Sequence, residues 1–580
     1  MENVEIASVL GEVADLLELQ DANPFRIRAY RNAVRTILGL TRPLSEMVAE
    51  EFDLKQLPGI GDDLSTYIVE LVRTGRLRLL DQLRREVPGA PAELMKLEGI
   101  GPKRAMQLHR ELGIRSVAEL EREIRRGEVE RLSGFGAKTV ERLRRSIADY
   151  RKHEVRYKLS DADQLVRPLL EYMRRAPGIE RLEVAGSYRR RRETVGDIDL
   201  LVACERPKRA MTHFTAYPDA ERVEAAGTTR GAITLRSGLR VDLRIVPLHS
   251  YGAALHYFTG SKAHNIAVRR LGIEKGLRIN EYGIFRIGKG KKASERRIGG
   301  EREEDVFAAV GMDPVPPELR EDRGEVEAAL AHRLPRLVTV DDLRGDLQLH
   351  TTWSDGRDSI EAMARACKQR GYKYLAVTDH SRAVTVAGGL GARDLERQWK
   401  EIARVARKVP GITILKGMEV DILKDGTLDL PDELLYRLDV VVAAVHGGRS
   451  MTRARMTERV IRALRHPAVH ILAHPTGRLI NRREPYEIDV EAVLEAAAEL
   501  GVAVELNAQP DRLDLNDVHA SRARELGVKI VINTDAHTTD QLGFITYGVE
   551  QARRAWLEKK HVLNTMSLAE LKKWLGRRRK

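Results

Sequence analysis

Residues 186–200 read GSYRRRRETVGDIDL, and residues 240–246 read RVDLRIV. Asp197 and Asp199 flank Ile198 in a run that continues into Leu200, Leu201 and Val202. On an extended strand both carboxylates therefore project from one face. The intervening residues supply a neighbouring strand: GAITL (231–235) is apolar and β-branched, Ser237-Gly238 is a turn pair, and RVDLRIV alternates with period two. Such a strand can bring Asp242 up to the pair. Three converging carboxylates repel one another unless cations lie between them, and two Mg²⁺ or Mn²⁺ suit oxygen ligands shared with substrate phosphates. Gly186-Ser187 with Arg189 to Arg192 adds a small-residue turn and a cationic cluster suited to a triphosphate.

The whole string resembles the nucleotidyltransferase signature of the family X DNA polymerases. The resemblance implies that Asp197, Asp199 and Asp242 are the metal-binding triad, with Asp242 accepting the proton of a primer 3′-hydroxyl. It further implies that Gly186, Ser187 and Arg190 contact the triphosphate of a dNTP, and that Arg240 lies on DNA. YFTGSKAHNIAVRR (257–270) is similar to the nucleotide-binding segment of the family. There Tyr257 and Phe258 would pack on the sugar at the Gly260 turn, Asn265 would reach the minor-groove edge, and Arg269 would take a template-side position. LRINEYGIFR (277–286) resembles the thumb hairpin that follows.

Upstream, LPGIGDDLSTYIVELV (57–72), LEGIGPKRAMQLHREL (97–112) and LSGFGAKTVERLRRSI (132–147) each join an apolar helix end to a glycine turn and a new helix. Backbone N–H groups exposed at such turns hold a phosphate with little side-chain specificity. The three copies resemble helix-hairpin-helix modules, which makes Gly59, Gly61, Gly99, Gly101, Gly134 and Gly136 candidate DNA contacts. The first copy departs from family members with 5′-deoxyribose-phosphate lyase activity. Tyr67 stands where the Schiff-base lysine would be, and a phenol cannot replace an amine in that step, so no comparable lyase activity is expected.

Beyond residue 329 the character changes. Pro314, Pro316 and Pro317 break the helical pattern, and a charged linker helix is expected toward residue 345. From there apolar β runs alternate with amphipathic helices, the pattern of a parallel barrel. The runs end at metal-ligand residue types: His350 and Asp355, His380, Glu419, His446, His474, then Asp535 and His537. Carboxyl ends of barrel strands share one rim, and imidazoles with carboxylates but no thiolate suit Zn²⁺, Mn²⁺ or Fe²⁺. The set resembles the PHP (polymerase and histidinol phosphatase) domain, a distorted (βα)₇ barrel holding up to three ions, Zn²⁺ or Mn²⁺. By that resemblance Asp355, His380 and His537 hold one ion, Glu419, His446 and His474 a second, and His350, Glu419 and Asp535 a third. Gln348 stands where the family pattern has the first histidine of His-x-His, so the third site is expected to be weaker. His466, His470, His519 and His561 are read as non-ligands.

The 580 residues exceed one core, and a net charge of +13 suits a polyanionic partner without identifying it. Cys204 and Cys367 cannot form a disulfide framework. The start MENVEIASVLGEVADLLE has no basic n-region or long apolar run, which leads us to expect a soluble cytoplasmic protein without membrane contact. A monomer is expected. The expected fold is multidomain α/β. It comprises a helical DNA-binding domain (1–90), a fingers-like helix-hairpin-helix domain (91–155), an α+β nucleotidyltransferase palm (156–255), a thumb (256–315), a linker (316–344) and a (βα)₇ PHP barrel (345–580).

The two resemblances together imply a gap-filling repair polymerase acting on primer-template or gapped DNA, fused to a metal-dependent 3′–5′ exonuclease, 3′-phosphatase or abasic-site endonuclease. Two alternatives stay open: a barrel that is a structural or DNA-clamping module without hydrolysis, and a nucleotidyltransferase acting on something other than DNA.

Overall fold

A computed structural model describes residues 3–20, 22–38, 40, 44–86, 94, 97, 100, 102–114, 116–136, 139–144, 146–147, 156–288 and 295–577. The chain divides into two compact units, Met1–Val155 and Arg156–Lys580.

The first unit is helical. Helices Asn3–Leu19 and Pro24–Leu38 bury Ile6, Leu10, Val13, Leu17, Ala33 and Ile37 in its core. In the first hairpin the turn residue Gly59 adopts a left-handed φ of 77°, and Gly61 caps helix Asp62–Thr74. A side chain at Gly59 would be strained in that region, which is why glycine is used. The third hairpin repeats the device with Gly134 at φ 82°.

The second unit begins with a two-residue ladder between β1 (Tyr157–Lys158) and β3 (Thr194–Val195). A five-stranded sheet follows in the order β2-β4-β7-β6-β5, formed by β2 (Ile179–Val184), β4 (Asp197–Cys204), β5 (Ala220–Ala226), β6 (Arg230–Leu235) and β7 (Arg240–Val246). Only β4 and β7 run parallel, while the other pairs are antiparallel. Leu200, Val202, Ile233, Val241 and Leu243 point into one core with helix Leu159–Met173, as the period-two reading requires. A small antiparallel sheet of β8 (Leu277–Asn280), β9 (Gly283–Ile287) and β10 (Glu295–Gly299) follows.

Residues 316–344 correct the linker expectation. Leu319, Val326, Ala329 and Leu337 are buried in the same cluster as Val268, Ile279, Ile284 and Phe307, so this stretch completes the core of the preceding domain. Its only α-helix is Glu325–Leu330. Helix Glu303–Val310 ends at Gly311 in the left-handed region, ahead of the prolines, and the apolar residues beyond still need a partner to cover them.

Seven parallel strands then pair in sequence order: β11 (Gly345–Leu349), β12 (Tyr374–Val377), β13 (Thr413–Asp421), β14 (Val440–Ala444), β15 (Ile471–Leu472), β16 (Ala503–Asn507) and β17 (Ile530–Asn533). A bridge between Leu349 and Ala536 links the first strand to the chain beyond the last. Alternate residues form two cores. Tyr374, Ala376, Leu415, Val440, Val442 and Val531 fill one, and Leu375, Val377, Ile414, Val441, Val504 and Ile532 pack in the other with helical residues such as Trp399 and Ile402. Helix Leu568–Leu575 joins the first cluster through Leu571 and Leu575. His470, at the entry to β15, reaches the Leu575 carbonyl at 3.2 Å, so the C-terminal helix covers the end of the barrel opposite the strand C-termini. Cys204 and Cys367 are both free and buried.

Candidate active sites

In the palm, the register sets Asp199 directly opposite Asp242 across the parallel β4–β7 pair, with Asp197 opposite Arg240. All three carboxylates thus come from two adjacent strands. Burial, then the charges of Asp197 and Asp242, push the Asp199 carboxyl up to about 7. Divalent cations bound by oxygen ligands would relieve that repulsion, and this all-carboxylate donor set fits hard ions.

Gly186 packs so closely on this site that a Cβ there would lie 2.2 Å from Asp199 Oδ2, and its φ is 63°. No residue with a side chain fits without displacing the carboxylate. Ser187 follows in the helical turn Gly186–Arg189. Arg190 donates to the Thr259 carbonyl at 2.6 Å and to Glu321 at 3.1 Å, so it sits beside the Thr259-Gly260 turn. Tyr257 and Phe258 meet edge-on with centroids 5.2 Å apart. Asn265 donates its amide to the Tyr257 carbonyl at 2.7 Å, while its Oδ1 is buried without a partner. Arg269 lies exposed on helix Lys262–Glu274.

Arg240, expected on DNA, grips Asp242 with Nε at 2.8 Å and Nη2 at 3.0 Å. The two side chains share one face of β7, and a guanidinium fork matches a carboxylate. A residue missed from sequence is Arg244, two positions further along that face. It lies 5.5 Å from the Phe258 ring centroid and has a buried Nη1 without a partner. The alternation of RVDLRIV was the available signal. Gly59, Gly61, Gly134 and Gly136 lie in hairpin turns of the first unit, whereas Gly99 and Gly101 fall outside the described residues.

At the barrel, strand ends and the loops just beyond them bring all eight candidate ligands together. His350 Nε2 lies 3.0 Å from Asp535 Oδ1 and 3.3 Å from Glu419 Oε2. His380 Nδ1 lies 3.1 Å from Glu419 Oε2, and His380 Nε2 lies 3.5 Å from Asp355 Oδ2. His537 Nε2 is 3.4 Å from the same Asp355 oxygen. His446 and His474 both face Glu419 Oε1, at 3.4 and 2.9 Å. His474 and Asp535 take positive φ angles of 28° and 50°, unusual for residues with side chains and typical of functional sites.

The clusters able to hold an ion differ in detail from the grouping that resemblance implied. Donor atoms of His350, Asp355, His380 and His537 lie within 4.8 Å of one another, as do those of His380, Glu419 and His446, and those of His350, Glu419 and Asp535. His380 therefore takes the place expected for His474 in the second group. The reason is its position at the end of β12, where it forms a bridge with Glu419 and sits between the two groups. His350 joins the first group because its ring lies 4.4 Å from both His380 and His537.

Buried His350 Nε2 and His380 Nδ1 lie 3.0 and 3.1 Å from carboxylates without well-aligned hydrogen bonds, and His350 Nδ1 and both amide atoms of Gln348 also lack a hydrogen-bond partner. Orphaned buried donors and acceptors facing carboxylates are what a bound cation satisfies, so the residues fit divalent metals. Around them, Asp421 accepts from the His446 backbone at 2.9 Å and lies 3.2 Å from its Nδ1. Although burial opposes it, Glu419 and Asp421 raise His446 to about 9. Asp379 accepts from Thr351, Ser354 and Gln398, pinning the loop that carries Asp355. His466 pairs with Asp432, His561 accepts from the Glu558 backbone, and neither these nor His470 and His519 belong to a metal-competent group among the described residues. No described helix is long and apolar enough to cross a membrane.

Comparison with known proteins agrees with this geometry. Family models match a helix-hairpin-helix domain at residues 1–77, a SAM-like helix-hairpin-helix tandem at 92–149, a DNA polymerase beta thumb at 254–321 and a PHP domain at 346–509. The chain is 38% identical over 579 residues to the DNA polymerase/3′-5′ exonuclease PolX of Bacillus subtilis, covering 100% of both proteins. Forty per cent of the chain is also 30% identical, over 247 residues, to a probable phosphatase of a Thermoanaerobacter species, covering 96% of that protein. With a full-length relative, two helix-hairpin-helix regions, a polymerase thumb and a PHP barrel in one order, the chain belongs to the family X DNA polymerases of the PolX type with a C-terminal PHP domain.

Proposed function

We propose that the chain fills short gaps in DNA from its palm and removes 3′-terminal nucleotides at its barrel rim. The observation that carries this reading is the facing pair Asp199–Asp242, present in one chain with a rim of eight imidazole and carboxylate side chains. In the palm, Asp242 accepts the proton of the primer 3′-hydroxyl. The freed oxygen bonds the α-phosphorus of the dNTP, the bond to the β-phosphate breaks, and pyrophosphate leaves. Ser187 and Arg190 hold the triphosphate, Tyr257 and Phe258 receive the sugar, and Asn265 faces the base edge. Asp197 and Asp199 complete a binding set for two Mg²⁺ or Mn²⁺.

At the rim, His350, Asp355, His380, Glu419, His446, His474, Asp535 and His537 hold Zn²⁺ or Mn²⁺. Such ions, when bound, lower the pKa of water toward ~7 and neutralise phosphate oxygens. Asp421 fixes the orientation of His446, and Asp379 holds the Asp355 loop in place. The hairpin glycines grip DNA phosphates through backbone N–H groups. We assign the protein to the cytoplasm, acting as a monomer.

A 5′-labelled primer across a short gap, with Mn²⁺ and no nucleotides, should shorten and release mononucleotides; with dNTPs it should lengthen. No extension despite bound dNTP sinks the polymerase reading. Release of inorganic phosphate alone would make the barrel a 3′-phosphatase.

A further inference from the structure

We propose that Arg512 is a catalytic residue of the barrel, donating its guanidinium to a non-bridging oxygen of the scissile phosphate. This rests on the nuclease reading above. Among the described residues, Arg512 is the only lysine or arginine within 4.0 Å of a carboxylate of the candidate ligand set, with Nε 3.8 Å from Asp535 Oδ2.

Neutralising Asp535 does not account for it. That oxygen already accepts from Asn507 at 3.0 Å, while Oδ1 faces His350 at 3.0 Å. At 3.8 Å the guanidinium is beyond hydrogen-bonding distance, and its side chain is 20% exposed. An arginine fork held beside a candidate metal cluster, partly open to solvent and, among the described residues, not spent on a protein acceptor, matches the planar oxygens of a phosphate.

The loop is built to keep it there. Leu513, the next residue, has a left-handed φ of 41°. A non-glycine residue in that region persists only where its surroundings enforce it. Buried Asp514 accepts from the backbones of Thr476 and Gly477 at 3.0 and 2.9 Å. Arg478 donates to the Arg512 carbonyl at 2.9 Å and to the Leu513 carbonyl at 2.5 Å. Its other contacts are to Glu193 of the palm, at 3.2 and 2.6 Å. Arg512 is thus preset from both sides, which lets it act without reorganisation.

In the reaction a water oxygen bonds phosphorus and the bond from phosphorus to the 3′-oxygen of the preceding nucleotide breaks. The terminal nucleotide leaves with its 5′-phosphate, and the departing 3′-oxygen takes up a proton. Charge grows on the non-bridging oxygens as the new bond forms, and Arg512 stabilises it there.

The test uses the full-length, metal-loaded protein with Arg512→Gln and Arg512→Lys. Metal content by mass spectrometry, calorimetric binding of dAMP, hydrolysis and primer extension are read together. Arg512→Gln should slow hydrolysis about 10²–10³-fold and weaken dAMP binding about 10- to 100-fold. Metal content and primer extension should stay at wild-type levels, and Arg512→Lys should recover part of both losses. Unchanged hydrolysis and dAMP binding would overturn the proposal, as would a loss of hydrolysis that follows a loss of metal. A metal-loaded wild type without hydrolysis would instead fail the nuclease reading, and the proposal with it.

Discussion

In the palm, two neighbouring strands supply three carboxylates and no imidazole. At the barrel rim, six of the seven strands bring five imidazoles and three carboxylates to one end. The exposures differ accordingly. Asp242 keeps 22% of its side chain in contact with solvent; at the rim His350, Glu419 and Asp535 form a buried base at 0%, 1% and 8%, while Asp355 and His537 stand at the mouth at 35% and 29%. An open all-oxygen site binds its ions together with a substrate that brings more oxygens, and exchanges them freely. An imidazole-rich site with a buried base supplies most of an ion's ligands from the protein itself, which favours retention. On the proposed reading, one chain holds a site completed by its substrate and a site whose ligands come mostly from its fold.

The largest effect that would break this contrast lies in the palm. Asp242→Asn should cut primer extension about 10²–10⁴-fold while 3′-shortening and rim metal persist. Loss of both activities in labelled-primer assays would mean the sites are not separate. Conversely, His350→Ala should lower rim metal affinity by at least about 100-fold, abolish shortening and leave extension intact, read by metal analysis after dialysis.

Gln348→His sharpens the same comparison. The buried amide now has neither atom partnered, and an imidazole in its place should raise metal retention about 10-fold without changing extension. A drop in retention would show that the amide already serves the site.

A smaller effect concerns stability rather than chemistry. Despite burial, Arg189 and Arg320 hold Glu303 down to about 2. Its folded value lies below the ordinary 4.5, so its contribution is present above that pH and is lost as pH falls toward 2. Acid unfolding of Glu303→Gln should therefore be less steep across this window, by up to about 3 kcal/mol.

No effect at all is expected in borohydride trapping of abasic DNA by residues 1–77. Tyr67 stacks on Tyr30 with centroids 6.4 Å apart. The single lysine there, Lys55, pairs with Asp62 at 3.1 Å and is held protonated by that hydrogen bond. A trapped adduct on this segment would overturn the reading.

Much of the architecture was legible because it is local. Period-two alternation decides which residues share a strand face, so Asp197 and Asp199 could be paired from spacing, whereas Asp242 joined them through the family resemblance and the non-local parallel pairing of β4 with β7. Apolar runs ending in histidine or aspartate announce barrel strands, since each ligand follows its own strand. The role of residues 316–344 was not legible. Prolines and charges suggested a linker, but burial depends on whether a surface is waiting for Leu319 and Val326. The bond of Arg240 to Asp242 was likewise not legible, because it is set by side-chain reach rather than residue type.

By itself, then, the sequence determined the family, the order of domains and the residue types that gather at each site, because periodicity and motif spacing are properties of the chain. Only the tertiary structure decided which ligands can share an ion, that His380 stands between two groups, and that Arg512 meets Asp535 while Arg478 ties its loop to Glu193. Those relations cross between strands, loops and domains distant in sequence, and their distances exist only once the barrel has closed and packed against the palm.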